Sequence, residues 1–261
     1  MIWIISGTKK ARDCAAQLYE RGYSLIATTT TDHGKKLLEE SLSIHSFSDM
    51  KKSQFIVHNE ILDQKAMSKM CEKNFVNLIL DFSHPFSVEV SKNAIDISEK
   101  LNIPYVRYER ESSICNSAQL FENYHEIVSY LNEKDGNILL AIGSNNIHEF
   151  SSIHKERLFV RVVPFVKSLE TCKEAGILTQ NIIAMQFPFS VEFNEVLCKE
   201  LNIKYMVTKD SGQEGGVEEK IKAAANTGVE VLMLKRPSIE YPEVYNSMDI
   251  VLERVEELLH G

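Results

Sequence analysis

The sequence has no surplus of positive charge: 37 acidic residues against 29 lysines and arginines leave a formal net charge of −8. Nucleic acid and anionic membranes both demand a basic face, so neither is expected as the main partner. The cysteine spacing of a metal or disulfide scaffold is missing too. The five cysteines (Cys14, Cys71, Cys115, Cys172 and Cys198) are odd in number, far apart and free of C-x-x-C pairs. No resident metal site is expected, and a reducing cytoplasm fits. No apolar run approaches the roughly 20 residues of a membrane span, and the first residues form no signal-like pattern. A cytoplasmic protein is expected. Exact repeats and low-complexity segments are also absent. What is left, 44% hydrophobic and 25% charged residues in 261, is an ordinary globular composition, enough for one large or two ordinary domains.

Short apolar runs alternate with amphipathic segments. Residues 1–5 read as a buried strand, 9–21 as a helix with Ala11, Cys14, Ala15 and Leu18 on one face, and 23–27 as a strand ending in Thr28-Thr29-Thr30-Thr31. A helix over 63–74, a strand over 76–80, a helix over 86–101, a strand over 104–107 and a helix over 118–134 follow. Lys134-Asp135-Gly136-Asn137 is the best linker in the chain, and it places the domain boundary after residue 134. The rhythm then restarts, with strands at 138–142, 158–163, 182–184, 205–207 and 229–234. Helices are expected at 166–175, 191–201, from 217 onward, and at 243–259. This alternation predicts an α/β protein of two domains, 1–134 and 135–261, with mainly parallel sheets.

Ligands of such sheets lie beyond the carboxyl ends of the strands. The loop after residue 207, T-K-D-S-G-Q-E-G-G, is the richest turn of that kind. Ser211, Gly212 and Gly216 are candidate anion-binding positions there, because glycines let backbone N–H groups and a helix N-terminus approach a phosphate. Its plainer reading is a solvent loop joining strand to helix. Gly7 and Thr8 open the first helix, but S-G-T-K-K-A has one glycine where the dinucleotide fingerprint has three. Thr28 and Thr29 stand where an acidic residue commonly binds ribose, with Lys35 and Lys36 a turn further on, so a 2′-phosphate is tolerated and both NADPH and NADH stay open. Ser83 and His84 fall at another strand end before Pro85, as helix caps or as groups facing the crevice. Arg107 and Glu109 alternate with Tyr108 and Arg110 on a strand, as carboxylate binders or as a solvated edge.

In combination these stretches resemble the precorrin-6A reductase family of cobalamin biosynthesis, including its cobalt-precorrin counterpart, over essentially the whole chain. The matching segments are SGTKKAR, LILDFSHPFS, IPYVRYERE, ILLAIGSNNIHEF, FVRVVP, YMVTKDSGQEGGVEEKIKAA and VLMLKRP. Ser6 stands where the family usually has glycine, Lys10 where it usually has glutamate, and Glu111 where a proline commonly follows. The resemblance implies two Rossmann-like domains facing one cleft and a reduced nicotinamide cofactor. It also implies hydride transfer to a carbon–carbon double bond of a tetrapyrrole, any cobalt arriving inside the substrate. Arg107, Arg110, Lys220 and Arg236 become candidate substrate-carboxylate binders, with Lys209 a further cation, since an acidic protein must gather cations locally. Lys209 or Asp210 is a candidate proton donor, with His84 the alternative. Each has a plainer role: Lys209 binding a carboxylate, Asp210 capping the loop, His84 capping a helix.

Two other classes fit the same turns: a two-domain sugar-nucleotide transferase and a non-catalytic nucleotide sensor. The Tyr130-x-x-x-Lys134 spacing of a short-chain dehydrogenase is rejected, because it sits at a helix tail beside the linker without a complete glycine fingerprint.

Overall fold

The computed structural model describes residues 1–43, 53–112, 117–186 and 188–261, so Cys115 lies outside the described residues. The strands are β1 (Ile2–Ile5), β2 (Leu25–Thr28), β3 (Phe55–His58), β4 (Leu78–Asp81), β5 (Tyr105–Tyr108), β6 (Ala118–Phe121), β7 (Asn137–Leu140), β8 (Leu158–Val162), β9 (Ile182–Ala184), β10 (Ile203–Lys209), β11 (Glu230–Leu234) and β12 (Val244–Tyr245). The α-helices among the described residues are α1 (Lys9–Glu20), α2 (Asp32–Ser43), α3 (Gln64–Lys73), α4 (Val88–Leu101), α5 (Tyr124–Asn132), α6 (Val166–Glu174), α7 (Val191–Glu200), α8 (Val217–Thr227) and α9 (Met248–His260).

Two compact units result. Unit 1 is Met1–Arg110 with Ser238–Gly261, and unit 2 is Glu111–Pro237. The chain therefore crosses over after Arg110 and returns after Pro237, not at the expected 134/135 boundary. Sheet membership is the reason. In unit 1 the order is β12-β5-β4-β1-β2-β3, and in unit 2 it is β6-β11-β10-β7-β8-β9, every described pair being parallel. Both sheets thus grow outward from an inner strand, β1 or β7, in two directions, the doubly wound order with a switch point beside it.

β1 shows why its sequence is apolar without alternation. Ile2 and Ile4 enter a core cluster with Ala11, Cys14, Leu18, Val251 and Val255, beneath α1 and α9. Trp3 and Ile5 enter the opposite one with Met67, Met70, Ala94 and Ile97, beneath α3 and α4. A strand covered on both faces needs apolar residues on both. In unit 2, Leu139, Met206, Val231 and Met233 pack likewise against Cys198, Val217 and Ile221 of α7 and α8.

Three expectations need correction. The helix predicted over 118–134 is two elements: β6 pairs with β11, and α5 begins only after Asn123. The Asn123 side chain accepts from the Glu126 N–H at 3.0 Å, while the Glu126 carboxylate accepts from the Glu122 N–H at 3.1 Å, so this capping box restarts the chain as a helix. The closing helix begins at Met248, since Val244 and Tyr245 are held as a strand against Arg107 and Tyr108. α2 and β3, adjoining the undescribed residues 44–52, had no counterpart in the sequence reading. Asn123→Ala removes the cap and is expected to cost about 1 kcal/mol, read as a lower urea midpoint at unchanged slope.

Candidate functional site

In unit 1 the turns after β1, β2 and β4 line a pocket of about 570 Å³ that includes Ser6, Gly7, Thr28, Thr29, Ser83 and His84. Local rules build it. Thr8 is extended at φ −133° and caps α1, its hydroxyl accepting from the Ala11 N–H at 3.2 Å and donating to the Phe82 carbonyl at 3.3 Å. One side chain thus starts the helix and ties the first turn to the end of β4. The first turn of α1 carries Lys9 and Lys10 and no acidic residue, so its positive end is left uncompensated. A Cβ placed on Gly7 would lie 3.9 Å from the His84 backbone nitrogen, an ordinary van der Waals distance, so glycine leaves the volume of a side chain empty in front of the Ser83–His84 turn. The donor set (helix N-terminus, glycine gap, threonine hydroxyls) suits a phosphate-bearing dinucleotide. Thr28 accepts from the Trp3 indole N–H at 3.0 Å, and Thr29 lies against the Cα of Gly34, where a side chain would collide with its hydroxyl.

His84 accepts the Phe86 N–H on Nδ1 at 3.2 Å. A backbone N–H can only donate, which assigns the proton of the neutral ring to Nε2. The neutral ring thus carries its donor on Nε2, and His84 is one of the residues that line the pocket.

Below this turn lies a buried ion pair that the sequence did not disclose. Asp81 ends β4 and is the register partner of Arg107 on β5. Its carboxylate accepts from Arg107 Nη1 at 2.8 Å, the Ser83 N–H at 2.8 Å, the Ser91 hydroxyl at 2.6 Å and the Tyr105 phenol at 2.7 Å. Arg107 also donates to the Ser83 hydroxyl at 2.8 Å and, through Nε and Nη2, to Glu109. Burial alone would lower the guanidinium pKa, but Asp81 and Glu109 carry it above its ordinary value; burial and then Asp81 push the Tyr105 phenol far up. Arg107, expected to bind substrate, is instead 1% exposed and committed to these partners. Arg110, the last residue of unit 1, is half-buried.

The remaining candidates gather in unit 2 at the carboxyl end of β10. Lys209 is half-buried, and burial lowers its pKa. Asp210 is buried, 3.2 Å from Arg236 Nε and accepting from the Ser112 hydroxyl at 2.6 Å. Arg236 also donates to the carbonyls of Asp210 and Glu111, so it braces the loop. The glycine loop differs from a phosphate cradle. The Ser211 side chain occupies the space a Gly215 side chain would need, and Glu218 and Glu219 fill the first turn of α8. Gly212 and Gly216 serve the turn itself, at φ +70° and +63°. Lys220, expected to meet substrate, is buried with its amine donating to the Thr208 hydroxyl at 3.0 Å. Burial, then the charge of Arg161, push its pKa down to about 7, against the opposing pull of Glu219. Among the described residues no group of three or more metal-ligating side chains exists, and no helix is long and apolar enough to cross a membrane.

The Lys220 amine gives a pH signature. Between about pH 7 and the ordinary lysine value the unfolded chain holds a proton that the folded chain lacks, so unfolding free energy rises with pH in that window. The slope approaches about 1.4 kcal/mol per unit. Lys220→Met removes that slope: its stability relative to wild type is expected to fall steadily from pH 7 to 10 in chemical denaturation.

Comparison with known proteins bears on the whole chain. Residues 1–256 match the family described as Precorrin-6x reductase CbiJ/CobK. A cobalt-precorrin-6A reductase of Priestia megaterium is 34% identical over 258 residues, covering 97% of this chain and 96% of the relative. One from Methanococcus maripaludis is 35% identical over 250 residues, covering 92% and 93%. Among solved structures, a CobK precorrin-6A reductase superposes with a TM-score of 0.76 over 99% of this chain and 96% of its own, at 16% identity, which speaks to the fold. A chain with this doubly wound architecture and these relatives belongs to the precorrin-6x reductase CbiJ/CobK family, oxidoreductases that act on a carbon–carbon double bond.

Proposed function

We propose that this protein reduces one carbon–carbon double bond of cobalt-precorrin-6A, using NADPH held in the unit 1 pocket. The cobalt-containing substrate follows the names of the relatives above 30% identity. Family membership leaves the transferase and sensor readings without support. One contrast carries the placement of the cofactor. The N-terminus of α1 is cationic and open over Gly7, whereas that of α8 is acidic and its loop is filled by Ser211.

When bound, the reduced nicotinamide supplies a hydride to one carbon of the double bond, and the neighbouring carbon takes a proton. The α1 N-terminus, with Gly7 and His84 on the pocket lining, would hold the pyrophosphate. Thr28 and Thr29 would meet the ribose, and the turn after β2 adds no carboxylate to the pocket lining, its acids Glu60, Asp63 and Glu89 coming from other elements, which favours NADPH over NADH. His84 gives a hydrogen bond, not the proton, because its neutral ring already spends Nδ1 on Phe86. Lys209 is the better proton donor, since burial makes its ammonium a stronger acid. Asp210, tied to Ser112 and Arg236, orients the Lys209 turn.

Fluorescence titration is expected to show tighter binding of NADPH than NADH, and Gly7→Val to weaken it by at least about tenfold; equal affinities or an indifferent variant remove this cofactor assignment. With cobalt-precorrin-6A, Lys209→Met is expected to lower kcat by about a hundredfold while leaving NADPH affinity intact. Unchanged turnover discards the donor role.

A further inference from the structure

We infer that Asp81 and Arg107 are positioning residues for cofactor binding, holding the Ser83–His84 turn in its binding shape from beneath. The inference rests on the placement of the dinucleotide in the unit 1 pocket.

The geometry is more specific than a fold-stabilising ion pair requires. Both side chains are almost wholly buried, at 0% and 1% exposure, and each reaches past its partner to the same residue. Asp81 Oδ1 accepts from the Ser83 backbone N–H, and Arg107 Nη1 donates to the Ser83 hydroxyl oxygen, both at 2.8 Å. The two charges therefore fix the backbone and the side chain of the residue immediately before His84. Ser83 and His84 both line the pocket, whereas Asp81, Arg107 and Tyr105 do not. The turn is also closed by a bond from the Ser87 N–H to the His84 carbonyl at 2.8 Å and by the Phe86 contact that sets the His84 tautomer.

The pair is itself over-determined from three directions. Ser91 of α4 and Tyr105 of β5 hold the second oxygen of Asp81, Glu109 takes the other edge of the guanidinium, and Tyr241 of the returning segment lies under its plane at 5.2 Å. A buried ion pair is weak as a source of stability, because desolvation offsets most of its attraction. Apolar side chains would serve a core as well. What apolar side chains cannot do is donate to Ser83 Oγ and accept from Ser83 N in fixed directions, the supporting shell that a binding turn needs.

Asp81→Asn keeps the shape and removes the charge. With the variant shown to be folded by circular dichroism, its NADPH affinity is expected to fall on the order of tenfold. Turnover at saturating NADPH falls by much less. Asp81→Asn/Arg107→Met removes both groups that hold Ser83, so its NADPH affinity is expected to stay weak whichever way its melting temperature moves. If Asp81→Asn binds NADPH like wild type, or the double variant regains affinity, the positioning role is overturned. Should neither variant fold, Tyr105→Phe deletes a single bond to Asp81 away from the pocket. A weaker NADPH dissociation constant in that folded variant supports the inference, and an unchanged one refutes it. Gly7→Val separates this inference from the reading beneath it. Sensitivity to Gly7→Val with indifference to Asp81→Asn rejects the positioning role alone, while indifference to both rejects the pocket assignment and the inference together.

Discussion

Parallel pairing of strands that are apolar on both faces is the constraint from which the rest follows. Burying one isoleucine or leucine side chain contributes about 1.5–3 kcal/mol, against about 0–1 for an exposed ion pair such as Lys36 with Glu40. The four residues of β1, all buried, thus outweigh every charge pair on the surface. Because the neighbours of β1 run parallel to it, the turns after β1, β2 and β4 emerge on one rim of the unit 1 sheet. Chemistry-bearing residues far apart in sequence, such as Gly7, Thr29 and Ser83, become neighbours there for reasons that have nothing to do with chemistry.

The same strand order built twice does not give the same site twice. In unit 1 the rim is left open: a glycine leaves side-chain volume empty, the helix that follows it has no acid in its first turn, and the polar side chains beneath are satisfied from below. In unit 2 the rim is closed on itself by Ser211 over Gly215, by Arg236 across Asp210 and by two glutamates at the start of α8. Both loops contain glycine, and what distinguishes them is whether a neighbouring side chain takes the space that glycine leaves.

Much of this fold was legible in the chain. The apolar runs within β1, β4, β10 and β11 read as strands, and the turns after β1 and β4 stand at strand ends, whereas β10 runs past its apolar run to take in Thr208 and Lys209, read as loop. The failures share a cause, dependence on partners distant in sequence. Ala118–Phe121 reads as a helix start until β11 is beside it, although the Asn123–Glu126 spacing carried a local cap signal that was overlooked. Arg107 reads as an available cation until the register sets it opposite Asp81. The glycine-rich loop after β10 reads as a phosphate cradle until Ser211 folds onto Gly215. Asp81 lies within the matching stretch LILDFSHPFS, but nothing in the sequence pointed to its pairing with Arg107, for a lone aspartate at a strand end is ordinary.

The order in which the strands are assigned to sheets has a consequence for how the molecule is made. Glu111–Pro237 is continuous and contains all six strands of its sheet, so it can close as soon as it has left the ribosome. Residues 1–110, though translated first, emerge with β5 as a bare edge and without the Val251, Leu252 and Val255 side chains that finish one of their cores. Residues 1–110 are thus completed only once α9 has been translated after unit 2, and until then Ile2, Ile4 and Leu18 lack the Val251, Leu252 and Val255 side chains that cover them.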